Sequence, residues 1–312
     1  SFIQRPIPAL ARKYPDDPAV QREAIWLDAF GLDSEYDYDS FWRRCIELGV
    51  AVGAHGAGIG FPDRRSISSY VFYHMGQFGV AGDLLVRSLF LGGVTYRFPQ
   101  LRVVLLEGGV TFGCRLFSDL VGHWEKRSAR VIDRLNPERI DREQAHKLFR
   151  EYGGPRFEEK LDQLDATLGV GRPVIGPELR DEFAACHIES VEDIRDRFIP
   201  NFYFGCEADD PLNAWAFNRD VNPLGAQIKT LLGSDIGHWD VPDMTEVLEE
   251  AYELVERGLL SPADFRAFAC DNAIELYAGL NPRFFEGTVI EQAARDVLSE
   301  SLGQSPKSTV QG

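Results

Sequence analysis

Short apolar runs alternate along the chain with longer segments in which apolar residues recur at helical spacing. Five runs have the length of a strand: residues 24–30, 50–55, 101–106, 202–206 and 231–236. The run at 101–106 (LRVVLL) is continuous and β-branched, which is typical of a strand buried on both faces. Short buried strands that alternate with helices predict an α/β fold with a parallel sheet.

The predicted helices lie between these runs and after the last of them. Residues 39–48 predict a helix with Asp39 as N-cap and Gly49 just beyond its end. Residues 67–91 predict one long helix or two. Further helices are expected at 114–133, 245–257, 262–270, 272–279 and 289–302. The Pro-rich start, residues 1–22, predicts a loop or a short helix and no strand.

One long segment interrupts the alternation. Residues 135–197 are charged, punctuated by Pro and Gly, and helical in pattern. We interpret them as an insertion between two strands of a single domain that spans residues 1–302. The polar end, residues 303–312, predicts a flexible tail.

Composition excludes several classes of protein. Asp and Glu number 49 against 33 Lys and Arg, a formal net charge of −16, which disfavours binding to nucleic acid or to a membrane. No apolar run reaches the roughly 18 residues of a membrane span. The five cysteines form no CxxC pair, which favours a reducing, cytoplasmic location. We expect the protein to act on a small molecule. We also expect that it forms a homodimer.

An ionisable residue lies at or near the end of each predicted strand. These residues are Asp28, His55, Glu107, Glu207 and Asp235, with His238 three positions after Asp235. In parallel α/β folds the chemistry lies at the carboxyl ends of the strands. A charged group next to a buried strand is costly unless it is paired, hydrated or metal-bound. Imidazole and carboxylate together suit zinc, iron or manganese.

Each of these residues also has a structural interpretation. His55 alone fits a hydrogen-bonded histidine, and Asp235 in Gly-Ser-Asp fits a turn or a helix cap. Glu107 precedes two glycines and fits the start of a tight turn. His74 lies in a helical pattern among aromatic residues, where a core or surface histidine is the default.

Five segments, taken in order, carry a resemblance to a known family. They are GVAVGAHG (49–56), GGVTYRFPQLRVVLLEGG (92–109), FYFGCEADD (202–210), GSDIGHWD (233–240) and the segment 264–288. They resemble strands five to eight and the closing helices of the amidohydrolase-related family, also called amidohydrolase family 2. That family contains metal-dependent hydrolases and non-oxidative decarboxylases of the aminocarboxymuconate-semialdehyde type.

The resemblance implies a (β/α)8 TIM barrel of the metal-dependent hydrolase type. The five predicted strands correspond to strands 4–8, so we expect an incomplete barrel with the helical insertion between strands 6 and 7. The family's first strand carries an HxH pair, and no HxH occurs in this chain, which begins with Ser1. A missing N-terminal portion is the expected reason, and a pseudoenzyme that lost the pair is the alternative.

The resemblance also assigns roles to residues. It implies a divalent metal, zinc first and iron or manganese next, held by His55, Asp235 and the missing HxH pair. Glu107 is expected nearby as a further metal ligand, as a residue that supports a ligand, or as a substrate contact. Asp235 is the expected acid and base, with His74 as a second catalytic residue. Glu107 stands where the decarboxylase type carries a histidine. Substrate contacts are expected from Glu207, His238 and Asp28.

The implied activity is hydrolysis of a small organic, cyclic or aromatic substrate by metal-activated water. One alternative is a metal-dependent decarboxylase of an aromatic or enolic acid. A second alternative, of another class, is an inactive barrel that serves as a binding or scaffold protein.

Overall fold

A computed structural model describes residues 2–56, 66–135, 139–168 and 181–304. The chain divides into two compact units. The first contains the chain up to Asp119 together with the chain from Cys186 onwards, and the second is Leu120–Ala185.

Six strands are described, and four of them form a parallel sheet. In chain order the strands are β1 (Ile3–Pro6), β2 (Ile25–Asp28), β3 (Val52–Ala54), β4 (Val103–Leu105), β5 (Phe202–Glu207) and β6 (Lys229–Gly233). The parallel sheet has the order β3-β4-β5-β6. β4 is buried along its whole length and β5 up to its last residue, as their apolar runs predict. The predicted parallel sheet is confirmed, while closure into a barrel stays a prediction.

The first predicted strand belongs to a different sheet. β2 pairs antiparallel with β1, with Ile3 opposite Asp28 and Pro6 opposite Ile25. The expectation that the Pro-rich start contains no strand is therefore wrong, and so is the placement of residues 24–30 in the parallel sheet. β2 is only partly buried before Asp28, which suits a two-stranded ribbon better than a strand covered on both faces. Pro6 is tolerated because it ends an edge strand.

The described residues also form α-helices throughout the chain. They are α1 (Pro8–Lys13), α2 (Pro18–Glu23), α3 (Asp39–Glu47), α4 (Tyr70–His74), α5 (Gln77–Leu91), α6 (Val94–Arg97), α7 (Thr111–Arg127), α8 (Arg142–Tyr152), α9 (Pro155–Glu158), α10 (Leu164–Thr167), α11 (Val191–Phe198), α12 (Val247–Glu256), α13 (Pro262–Arg266), α14 (Asn272–Ala278) and α15 (Glu291–Gln304). A π-helical turn, Ala267–Asp271, joins α13 to α14.

Two helix boundaries show what local chemistry decides. The predicted segment 67–91 forms two helices, because Gly76 takes the left-handed φ of 67° between α4 and α5. Asp39 is the first residue of α3 and not its N-cap, which is Tyr38. The Asp39 carboxylate accepts hydrogen bonds from Arg97 at 2.8 and 2.9 Å instead.

Aromatic rings pack together in the core of the first unit. Phe198 of α11 contacts the rings of Phe117 and Phe202 at centroid distances of 5.3 Å and that of Phe90 at 6.3 Å. None of these four side chains is exposed. This core packs α5, α7 and α11 against β5, and β5 carries Glu207 at its carboxyl end.

The second unit is helical and contains α8 to α10. Asp165 of α10 accepts hydrogen bonds from Arg142 and, at 2.9 Å, pairs with His146 Nε2, which holds α8 against α10. The predicted insertion is therefore helical in its described part. Its last residues, 186–197, belong to the first unit and include most of α11.

The last described helix is α15, which extends to Gln304 and includes the first two residues of the predicted tail. Residues 305–312 of that tail lie outside the described residues. Among the described helices, none is long and apolar enough to cross a membrane.

Candidate metal and substrate site

The parallel sheet carries four of the predicted site residues at the carboxyl ends of its strands. His55 directly follows β3, Glu107 follows β4 by two residues, Glu207 ends β5, and Asp235 follows β6 by two residues. Because the four strands are parallel neighbours, these ends share one edge of the sheet. The structure therefore brings the four residues to one face, as the strand pattern predicts.

Three side chains at this edge lie close enough to share a metal ion. Glu107, Asp235 and His238 each offer one ligand atom, and these atoms lie within 4.8 Å of one another. Asp235 Oδ1 is 2.5 Å from His238 Nδ1. If Nδ1 donates its proton to this carboxylate, Nε2 is the ring atom that remains to bind a ligand. We call Glu107, Asp235 and His238 the ligand group.

His55 is not a member of the ligand group but contacts one of its members. Its Nε2 atom is 2.9 Å from Glu107 Oε1, so the imidazole and the carboxylate are hydrogen-bonded. A histidine that bonds to a ligating carboxylate orients that ligand. The expected ligand set of His55, Glu107 and Asp235 is thus brought together in part, and His238 replaces His55 in the group.

Two members of the ligand group have a strained backbone. Glu107 has a φ of 57° and Asp235 a φ of 48°, in the left-handed region that side chains other than glycine disfavour. Such a conformation costs on the order of 1 kcal/mol or more and is concentrated at functional sites. Both strained residues contribute a carboxylate to the ligand group, which supports a functional role for this edge.

Burial and charge raise the pKa of Glu207. The carboxyl is partly desolvated at the end of β5, and nearby carboxylates add to the effect by repelling its negative form. These neighbours are Asp209, Asp210, Asp235 and Asp240. The hydrogen bond with Asp235, together with the charge of that carboxylate, raises the pKa of His238.

An acidic cavity of about 200 Å³ lies beside the ligand group. Five carboxylates line it: Glu207, Asp209, Asp235, Asp240 and Glu250. No Lys or Arg is among the described residues that line it. The cavity and the ligand group share Asp235, so the negative charge of the cavity extends to the place where a metal would bind.

A chain of rings also adjoins the ligand group. The His55 ring is 5.0 Å from that of Phe78, and Phe78 is 5.8 Å from His74. His74 stacks on Tyr70 at 4.8 Å, and Tyr70 meets Trp239 at 6.4 Å. His74 is thus held near the site by ring contacts on α4, and its expected catalytic role stays a prediction.

Asp28 is the expected substrate contact that the sheet does not carry. It ends β2 of the antiparallel pair, and its side chain is completely buried. Arg5 Nε and the Tyr38 hydroxyl each donate to it at 2.7 Å, and the Ser34 hydroxyl and the Phe30 N–H donate at 3.1 Å. Among the described contacts these bonds satisfy the carboxylate, and none of them comes from the ligand group, so the expected substrate contact of Asp28 stays a prediction.

Several residues of the site are not apparent from the sequence alone. Trp239 and Asp240 lie within the segment GSDIGHWD, but the sequence assigns a role to neither of them, and Glu250 lies in a helical pattern. Trp239 could have drawn attention because it directly follows His238 in the segment GHWD. The close pairing of Tyr70 with Trp239 joins positions 169 apart in the chain, and only the fold shows it.

Comparisons with known proteins add one finding. No protein-family model matches the chain, and neither does any curated protein. The chain is similar to an amidohydrolase. That protein, map2389c from Mycobacterium avium subsp. paratuberculosis K-10, has a solved structure that aligns with a TM-score of 0.42 and 20% identity. The alignment covers 80% of this chain and 47% of the amidohydrolase, so this chain spans about half the length of that protein. We draw the function from the geometry of the site.

Proposed function

We propose that this protein is a metal-dependent hydrolase that acts on a small organic substrate by metal-activated water. The observation that carries the proposal is the ligand group, in which two carboxylates and one imidazole converge within 4.8 Å at the carboxyl edge of a parallel sheet. The left-handed backbone at Glu107 and Asp235 supports it, because strain of this kind is concentrated at functional sites.

The donors fit a divalent metal. Glu107, Asp235 and His238 would hold it, and zinc, iron and manganese all accept this mixture of oxygen and nitrogen ligands. The three side chains are partly exposed, which leaves room for water and substrate beside them. A bound ion of this kind polarises a carbonyl and lowers the pKa of its water to about 7.

The residues of the chain would divide the remaining work. Asp235 takes the proton of the attacking water on a carboxylate oxygen and passes it to the leaving atom. His238 holds Asp235 in position through the Nδ1–Oδ1 contact, and His55 holds Glu107 in the same way. Glu207 and the other carboxylates of the acidic cavity would contact the part of the substrate that carries hydrogen-bond donors.

The acidic cavity favours this function over the decarboxylase alternative. A decarboxylase must hold a carboxylate substrate, and five carboxylates without a basic lining residue repel an anion. A neutral or cationic substrate suits the same surface. The scaffold alternative requires no ligand group, so metal content distinguishes it from both enzymes.

The test is the metal content of the purified chain, measured by plasma mass spectrometry without chelator. We expect about one divalent ion per chain in the wild type and its loss in Glu107→Gln and in Asp235→Asn. Glu47→Gln is the matched control, because Glu47 is exposed on α3 and pairs with Arg44 alone among the described contacts. A wild-type chain free of metal after exposure to zinc, iron and manganese would refute the proposal.

A second measurement addresses the reaction. A panel of small esters, amides and lactones is screened with the zinc-loaded protein, and release of carbon dioxide from aromatic acids is followed in parallel. Hydrolysis that Asp235→Asn abolishes supports the proposal. Carbon dioxide release without hydrolysis would replace it with the decarboxylase.

A further inference from the structure

A wall of aromatic residues borders the ligand group, formed by Tyr70, His74, Phe78 and Trp239. Successive rings are in contact, with centroid distances between 4.8 and 6.4 Å. Edge-to-face and stacked pairs at such distances are favourable arrangements for aromatic rings. The wall is therefore an ordered surface, although its members come from α4, α5 and the segment after β6.

The wall is joined to the ligand group at both of its ends. At one end, Phe78 contacts the His55 ring, and His55 bonds to Glu107. At the other end, Trp239 directly follows His238 in the chain. A molecule that binds at the ligand group therefore has aromatic surface within reach on this side, and carboxylates on the side of the acidic cavity.

The rings of Trp239 and Tyr70, which form the end of the wall next to His238, are unusually exposed for their size. Trp239 is 79% exposed and Tyr70 is 55% exposed, and the two meet at an interplanar angle of 66°. An indole and a phenol at this angle form an apolar corner. Covering such a corner with another ring removes apolar area from water and adds ring-to-ring contact.

We propose that the corner formed by Trp239 and Tyr70 binds an aromatic ring of the substrate, and that Trp239 is a specificity-determining residue. The identity of the reaction at the ligand group rests on the proposed function. Ring binding itself needs only the two side chains. An uncharged aromatic compound is the suitable ligand, because the adjacent cavity is acidic.

The test compares two neutral probes of similar size, benzamide and cyclohexanecarboxamide, on the full chain without added metal. Saturation-transfer NMR titrations give the dissociation constant of each probe. We expect benzamide to bind more tightly than cyclohexanecarboxamide, since only benzamide offers a π-face to the corner. In Trp239→Ala the affinity for benzamide falls about fivefold, the size of one aromatic pair contact.

Two further variants separate ring binding from a general disturbance. Trp239→Phe keeps a ring and should retain most of the affinity for benzamide. Val71→Ala, at a 61% exposed position of α4, should leave the affinity unchanged. Because Trp239 is exposed, its replacement leaves the core intact, and circular dichroism confirms this for each variant.

The outcomes distinguish this inference from the proposed function. Equal benzamide affinity in wild type and Trp239→Ala, no preference over cyclohexanecarboxamide, or no binding of benzamide to the wild type each overturns the role of Trp239, even if the chain binds metal. Benzamide binding that depends on Trp239 in a chain that retains no metal supports the inference and removes the hydrolase.

Discussion

Replacing Asp28 with Asn is expected to destabilise the fold strongly and to leave metal binding unchanged. The Asp28 side chain is completely buried and accepts four hydrogen bonds, two of them at 2.7 Å from Arg5 and Tyr38. Asn preserves the shape but removes the charge, and its amide presents donors where the partners also donate. Because the Arg5 side chain stays 22% exposed, the loss is that of part-buried hydrogen bonds to a charged group, about 1.5–3 kcal/mol.

Urea unfolding, followed by tryptophan fluorescence and by circular dichroism, measures this cost. Trp26 lies in β2 two residues before Asp28, so the ribbon contributes one of the five tryptophans to the fluorescence signal. The matched control is Asp16→Asn, an exposed carboxyl in the same N-terminal segment, which should change stability by less than about 0.5 kcal/mol. An Asp28→Asn chain as stable as the wild type but with lost metal or activity would refute the structural role.

The same network predicts how stability depends on pH. Burial raises the pKa of Asp28, but the hydrogen bonds from Arg5, Tyr38 and Phe30 outweigh burial and lower the pKa below its ordinary value of 3.8. The stability from this carboxylate is therefore fully present above the unfolded-state value. It is lost as the pH falls through the lower, folded-state value. The stability difference between wild type and Asp28→Asn should shrink in acid below about pH 4, and a difference constant with pH would contradict this account.

Two further predictions concern packing. Phe198→Ala should cost about 3–5 kcal/mol in urea unfolding, because the ring is fully buried against Phe90, Phe117 and Phe202; a cost near zero would contradict the described core. Gly31→Ala should lower the melting temperature, since a Cβ there would lie 2.3 Å from the carbonyl oxygen of Ser88. Its control, Gly122→Ala, has open space around the new methyl group in α7 and should stabilise by about 0.5–1 kcal/mol, so the reverse order would be inconsistent with the structure.

The parallel sheet was predictable because its strands are buried. β4 and β5 are covered on both faces, and burial of that kind leaves a continuous apolar run in the sequence. β1 leaves no such mark, since Ile3–Pro6 includes a charged residue and a proline and is partly exposed. Its strand conformation depends on pairing with β2, some 20 residues further along the chain, which a local pattern does not encode.

The site divides in the same way. Glu107 and Asp235 were predictable because polar residues after buried strands stand out, and the parallel order then brings them to one edge. The presence of His238 in the ligand group in place of His55 was not predictable from the sequence. It depends on a turn in the backbone that brings the His238 ring back to the Asp235 carboxylate three residues earlier. The aromatic wall was not predictable from the sequence either. It joins α4 to the segment after β6 through the contact between the rings of Tyr70 and Trp239.

The left-handed backbone at Glu107 and Asp235 bears on how this protein would respond to engineering for heat resistance. Glycine adopts such a φ without steric cost, so glycine at either position relieves the strain while removing a carboxylate of the ligand group. A library selected only for thermal tolerance would therefore enrich chains that have lost a carboxylate of the ligand group. Selection for stability favours glycine at these two positions, and selection for a function of the ligand group favours the carboxylates. A screen that is to retain both properties must measure stability and function in each variant.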